Sequence, residues 1–162
     1  MFALNEKVVY PGHGVASISG IIQKVVGGSV TSFFELTFYN KEMTILVPMD
    51  SSMAVGLRRL SSQESVGTAL KILADPAKIS YENSSSNWNR RNKDYQCKLR
   101  SGNLYDICKI YRDLKHISSK KELSFGEKNL LSKTELLIAE EISIVNDVQE
   151  DKAIKQLRSL FL

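Results

Sequence analysis

The chain has 162 residues, of which 43% are hydrophobic and 25% charged, as is typical of a globular protein with one domain or two small ones. No apolar run approaches the roughly 20 residues of a membrane-spanning helix, and the N-terminus lacks a secretory signal pattern, so we expect a cytoplasmic protein. The net charge is only +4, but ten of the 22 Lys and Arg residues lie between positions 88 and 121, among three acidic residues. This basic block favours contact with a polyanion, although the solvated face of a helix would account for part of it.

The first sixty residues show the pattern of short β-strands joined by close turns. Residues 31–39 alternate between apolar and polar side chains, and Gly27-Gly28 fits a two-residue hairpin turn. Strands are predicted over residues 7–10, 15–26, 31–39, 43–47 and 54–60. Because closing a small sheet protects its edges, we expect a barrel of the SH3 or Tudor type.

From residue 61 onward the pattern is that of helices. Ser61-x-x-Glu64 and Ser124-x-x-Glu127 both fit the capping box that opens a helix. Helices are predicted from Ser61 to about Ala74, from Trp88 to Ser101, from Asn103 onward, from Ser124 to about Val145, and over residues 151–162. The predicted fold class is therefore α+β, with a small β-barrel over residues 1–60 followed by an all-α bundle over residues 61–162.

The single tryptophan lies at the start of a predicted helix, within Asn87-Trp88-Asn89-Arg90-Arg91-Asn92-Lys93. Asn87 is a suitable N-cap, which makes Trp88 the first helical residue. An exposed ring there could stack on bases or wedge between them while the neighbouring cations neutralise phosphates. Trp88 also shares one helical face with Tyr95 and Leu99, so a place in the core is the alternative. Spacing alone favours the core, because a lone tryptophan is usually structural.

Motifs of catalysis are absent from the sequence. It contains no P-loop, no dinucleotide-binding glycine pattern and no H-E-x-x-H motif. His13 sits in a glycine-rich turn and His116 near a predicted helix end, where structural roles are favoured. Glu140 and Glu141 are adjacent, about 100° apart on a helix, and so form a poor acid–base pair. The two cysteines lack further ligands at metal-site spacing, so we expect no enzyme, no metal and no cofactor.

Five ordered blocks resemble the CarD family of bacterial transcription regulators, also called CdnL. The blocks are residues 8–14 (VVYPGHG), 44–48 (TILVP), 56–58 (GLR), 87–91 (NWNRR) and 123–128 (LSFGEK). The similarity extends from about residue 5 to residue 160. Five blocks in order are specific, whereas the W-x-R-R block alone would not be.

The resemblance implies a Tudor-like N-terminal module, shared with transcription-repair coupling factor, that binds the β subunit of RNA polymerase. It also implies a helical C-terminal domain that contacts promoter DNA at the upstream edge of the transcription bubble. There the family's tryptophan acts as a minor-groove wedge that needs no base-specific readout. By the resemblance, Trp88 is the wedge, and Arg90, Arg91 and Lys93 contact phosphates.

The resemblance further implies two polymerase-facing positions in the N-terminal module. Family members often carry a basic residue on the first hairpin and another on the strand before the proline. Lys24 fits the first position, but the second is Leu46, so part of this surface differs from the family pattern. Lys41 or Arg58 is the candidate replacement for the missing charge.

Two functions of different classes follow from these patterns. The first is a transcription regulator that binds polymerase and stabilises the promoter open complex through Trp88. The second is a polymerase- or protein-binding adaptor without a direct DNA role, in which Trp88 belongs to the core.

Overall fold

The computed structural model describes residues 2–52, 55–75 and 88–161. The chain divides into two compact units, Met1–Leu60 and Ser61–Leu162. The first is a β domain and the second is all-α, which confirms the predicted α+β class. The proposed N-cap Asn87 lies outside the described residues.

The β domain is a five-stranded antiparallel sheet in the order β4-β3-β2-β1-β5. Its strands are β1 (Lys7–Tyr10), β2 (Gly14–Val26), β3 (Ser29–Phe38), β4 (Thr44–Pro48) and β5 (Arg58–Arg59). Gly27 and Gly28 form the predicted β2–β3 turn with φ values of 59° and 80°, which a residue without a Cβ adopts readily. The last strand is shorter than predicted, because only Arg58 and Arg59 pair with β1.

One face of this sheet supplies the core of the β domain. Phe34, Leu36 and Phe38 of β3 are at most 5% exposed, and they pack with Ile18 and Val47. The alternation predicted for residues 31–39 is therefore confirmed. The side chains between these positions lie on the opposite face of the sheet.

The helical domain contains five helices within the described residues. They are α1 (Gln63–Ala74), α2 (Trp88–Ser101), α3 (Leu104–Ser118), α4 (Phe125–Asn146) and α5 (Glu150–Ser159). Gly102, with φ of 72°, ends α2, and the side chain of Asn103 caps α3, both as predicted. None of these helices is long and apolar enough to cross a membrane.

One of the two predicted capping boxes forms and the other does not. Ser124 and Glu127 satisfy each other's backbone N–H groups at the start of α4. The prediction of a capping box at Ser61 is wrong, because the N-cap of α1 is Ser62. The Oγ of Ser62 accepts a hydrogen bond from the N–H of Ser65 at 3.1 Å. The N–H of Ser61 instead donates to the buried Glu141 carboxylate at 2.9 Å, so a tertiary contact decides where α1 begins.

A polar network lies at the edge of the helical core, where the buried Tyr111 and Glu135 meet the exposed Arg158. The Tyr111 hydroxyl donates to Glu135 Oε2 at 2.7 Å, and the Arg158 guanidinium donates to both Glu135 oxygens at 2.8 and 3.2 Å. Burial alone would raise the pKa of Glu135, but the hydrogen bonds from Arg158 and Tyr111 outweigh it and lower that pKa. The carboxylate is therefore held in its charged form.

We expect Glu135→Gln to lower the free energy of unfolding at pH 7 by about 2 kcal/mol, since it weakens charge-assisted hydrogen bonds to a buried group. The contribution of Glu135 to the free energy of unfolding is complete above the pKa of a glutamate in the unfolded chain, about 4.3. It disappears as the pH falls through the lower folded pKa. Urea unfolding between pH 3 and 7 measures it. Glu122→Gln, at a carboxylate 89% exposed, is the control and should change little.

Candidate nucleic-acid interface

Trp88 is the first residue of α2, and its indole packs on the core of the helical domain. The same face of α2 carries Tyr95 and Leu99, which are 5% and 2% exposed. The Trp88 and Tyr95 rings are tilted by 53°, with centroids 6.4 Å apart. The shared face predicted from spacing is confirmed, yet Trp88 remains partly exposed at the end of the helix.

The indole lies directly against the first turn of α4, at Gly126. A Cβ placed on Gly126 would be 3.2 Å from Cζ2 and 3.3 Å from Nε1 of Trp88. An alanine at position 126 would push the ring away by a few tenths of an ångström. The absence of a side chain at Gly126 therefore sets how closely the ring approaches α4.

Arg91 is the second link between α2 and α4. Its guanidinium lies over the Trp88 ring, with Cζ 5.4 Å from the ring centroid, in a cation–π arrangement. Its Nη2 is 3.4 Å from Oε2 of Glu127. The Arg91 and Glu127 side chains are only 10% and 4% exposed. This pair is thus shielded from water, unlike an ordinary surface ion pair.

The Glu127 carboxylate both caps the start of α4 and pairs with Arg91. Oε1 accepts from the N–H of Ser124 at 3.0 Å, while Oε2 faces Arg91. Burial would raise the pKa of Glu127, but the bonds from Ser124 and the charges of Lys121 and Arg91 outweigh it and lower that pKa. The carboxylate therefore stays ionised at neutral pH. We call Trp88, Arg91, Gly126 and Glu127 the indole clamp.

The three predicted phosphate-contacting residues lie in different surroundings. Arg90 and Lys93 are exposed, whereas Arg91 belongs to the indole clamp. At about 100° per residue, Arg90 and Lys93 lie on the side of α2 opposite its buried face. Cys97 and Arg100, also exposed, continue this side along the helix. The exposed side of α2 thus carries Arg90, Lys93 and Arg100, with Asp94 also exposed beside them. Trp88 lies at the N-terminal end of the same helix, on the opposite, core-facing side.

The predicted polymerase-facing residues lie on one face of the β sheet. Leu46 of β4 pairs with Glu35 of β3, and Lys24 of β2 pairs with Thr31 of β3. Glu35 and Thr31 are on the face of β3 opposite its core residues, and paired residues of neighbouring strands share a face. Lys24 is exposed and Leu46 is partly exposed. This face, opposite the core of the β domain, contains both residues.

Sequence reasoning missed Gly126 as a neighbour of Trp88 and Glu127 as the partner of Arg91. The Ser124-x-x-Glu127 pattern indicated a helix start, but it carried no sign that the same glutamate also binds Arg91. Only the family-like LSFGEK block marked this segment as special.

A small β domain followed by a helical domain with one basic helix face fits a nucleic-acid-associated regulator. Residues 2–61 match the CarD-like/TRCF RID domain, and residues 68–158 match the CarD C-terminal domain. The chain therefore belongs to the CarD family, which supports a role in transcription regulation. It is also 22% identical over 159 residues to the "Putative transcription factor YdeB" of Bacillus subtilis (strain 168), covering 98% of this chain and 99% of that protein. The family and this relative point to a transcription factor and not to an enzyme. The match to the CarD-like/TRCF RID domain suggests one that interacts with RNA polymerase.

We expect Gly126→Ala to displace the Trp88 indole while leaving the fold intact. Alanine favours the helix by about 0.5–1 kcal/mol, which offsets a small shift of a partly exposed ring. Because Trp88 is the only tryptophan, the emission maximum and acrylamide quenching measure its position directly. The matched control is Gly67→Ala in α1, where an added Cβ meets nothing within 4 Å. If the two variants gave identical emission, the proposed contact at Gly126 would be wrong.

Proposed function

We propose that this protein binds the β subunit of RNA polymerase through its β domain and stabilises the promoter open complex through Trp88. In this proposal the ring wedges into the minor groove at the upstream edge of the bubble and hinders reannealing. The observation that carries it is the indole clamp, because a wedge must be held rigidly and still present an exposed edge. Unstacking a base step costs a few kcal/mol. A ring free to rotate would add the loss of its own side-chain entropy to that cost, whereas a ring already held in place would not.

The burial of Arg91 separates the roles of the predicted DNA contacts. Arg90 and Lys93 are exposed and are the phosphate contacts of the proposal. Arg91 acts as a positioning residue, since its guanidinium lies between the Trp88 ring and the Glu127 carboxylate. Phosphate contacts fix where the protein sits but carry no sequence information, so the proposed binding is non-sequence-specific.

On the polymerase side, the proposal uses the sheet face that carries Lys24 and Leu46. Lys24 lies on the part of the β2–β3 hairpin that extends past the β1 and β4 pairings. An exposed cation there can steer association with an acidic partner surface. Leu46 offers an apolar contact in place of a charge. Tethering the protein on polymerase would raise its local concentration at the bubble, which compensates for weak DNA contacts.

The alternative is an adaptor that binds polymerase without touching DNA. It is favoured by one observation, the packing of Trp88 on the helical core beside Tyr95. In that case the indole clamp would serve stability alone.

We expect the wild-type protein to lengthen the lifetime of the open complex formed by its cognate polymerase, and Trp88→Ala to shorten that lifetime about tenfold. Tenfold corresponds to about 1.4 kcal/mol, within the range for one aromatic contact to a base. The control is Tyr105→Ala, which removes another partly buried aromatic of the same core. Equal lifetimes with Trp88→Ala and wild type, at equal polymerase binding, would establish the adaptor.

We expect the affinity for forked promoter DNA to depend on salt, with a slope of log K against log salt near −1.8 for the two phosphate contacts Arg90 and Lys93, at roughly 0.9 per contact. Arg90→Ala and Lys93→Ala should each flatten the slope by about 0.9. Arg91→Ala should weaken binding without flattening it, because its guanidinium is buried. Fluorescence anisotropy between 50 and 200 mM salt measures this. Lys133→Ala, at an exposed lysine of α4, is the control. A flattened slope with Arg91→Ala would make Arg91 a phosphate contact.

A further inference from the structure

Phe125 is an exposed aromatic residue beside the indole clamp. Its side chain is 81% exposed, more than that of any other large hydrophobic residue the structure describes. It is the first residue of α4, directly before Gly126. The Ser124–Glu127 capping box fixes the backbone on both sides of it, so its exposure is not the result of a frayed helix end.

The distance from Phe125 to the Trp88 indole is short. The Gly126 Cβ position is 3.2 Å from the ring, and neighbouring Cα atoms are about 3.8 Å apart. The Phe125 Cα therefore lies no more than about 9 Å from the indole edge, a span of two to three base steps at 3.4 Å each. A nucleic-acid strand that runs from Trp88 toward the start of α4 comes within reach of Phe125.

The charges around Phe125 suit a polyanion. Lys121 is exposed and close enough to Glu127 to act on its carboxylate, and Lys128 is 58% exposed one turn into α4. The N-terminus of α4 adds the positive end of its helix dipole. The acidic groups here are the buried Glu127, already paired with Arg91, and Glu122, which pairs with Lys128. An exposed aromatic residue flanked in sequence by exposed lysines is a combination that single-stranded nucleic acid can use, with bases stacking on the ring and cations near the backbone.

We propose that Phe125 is a second base-contacting residue, which stacks on an unpaired base next to the step that Trp88 occupies. This inference rests on the function proposed above. It makes the DNA-facing edge of the helical domain a pair of aromatics from two helices, Trp88 of α2 and Phe125 of α4. Phe125 lies outside the indole clamp, so its contribution is to binding and not to the position of Trp88.

The test compares open-complex lifetimes for Phe125→Ala, Phe125→Leu and Phe125→Tyr with those for Trp88→Ala. We expect Phe125→Ala to shorten the lifetime about fivefold, the lower end of what stacking one base on an aromatic is worth. Tyrosine should restore the lifetime and leucine should not, because stacking needs a π face. Leu136→Ala, which removes a 51% exposed side chain three turns along α4, is the control and should behave as wild type.

The outcomes separate this inference from the proposed function. A shortened lifetime with Trp88→Ala but not with Phe125→Ala overturns the role of Phe125 and leaves the function standing. If neither variant changes the lifetime, the function itself fails. Restoration by leucine, or loss of polymerase affinity in Phe125→Ala, makes the residue an apolar contact with protein and overturns base stacking.

Two further measurements exclude indirect effects. The emission of Trp88 should be the same in Phe125→Ala and wild type, and a shift would mean that Phe125 acts by moving the indole, against the proposal. A photo-crosslinking phenylalanine analogue at position 125 should crosslink to promoter DNA in the assembled open complex. Crosslinks to polymerase subunits alone would contradict it.

Discussion

The carboxylate of Glu127 is the group on which the arrangement of the candidate site depends. It caps the first turn of α4 through Ser124 and faces the guanidinium of Arg91, which is 36 residues away in sequence. Both charged side chains are nearly removed from water, so neither can lose its partner without leaving a buried charge uncompensated. The start of one helix is thereby tied to the start of another.

That tie explains how Trp88 can be both packed and exposed. The indole contacts Gly126 and lies under the Arg91 guanidinium, and it stays partly exposed at the end of α2. The entropy of a freely rotating side chain is therefore lost on folding and not on binding. The core and nucleic-acid interpretations of Trp88, which compete when only spacing is considered, are physically compatible.

The same helix divides its charged residues by the faces on which they lie. Arg90 and Lys93 remain in solvent, where a cation can exchange counterions for phosphates, while Arg91 is committed to an internal carboxylate. In the β domain, strand pairing likewise places Lys24 and Leu46 on the face that the core does not use. Each domain thus presents one surface left free by its own packing.

The sequence by itself determined the features that depend on local order. Alternation in residues 31–39, the Gly27-Gly28 turn, the Ser124–Glu127 box and the spacing of Trp88, Tyr95 and Leu99 all reflect interactions within a few residues, and each is present in the structure. The five blocks also sufficed to recognise the CarD family, because five blocks in the same order are specific although each one alone is short.

Only the tertiary structure decided how neighbouring residues of the same type differ. Arg90 and Arg91 have the same local signals, but they point about 100° apart, and only one of these directions meets Glu127. Ser61, with Glu64 three residues later, is the better cap by sequence, yet its N–H donates to the buried Glu141 and the cap is Ser62. In each case the deciding partner is a carboxylate on α4 that lies far away in sequence. Periodicity and spacing could not connect that carboxylate to Arg91 or to Ser61.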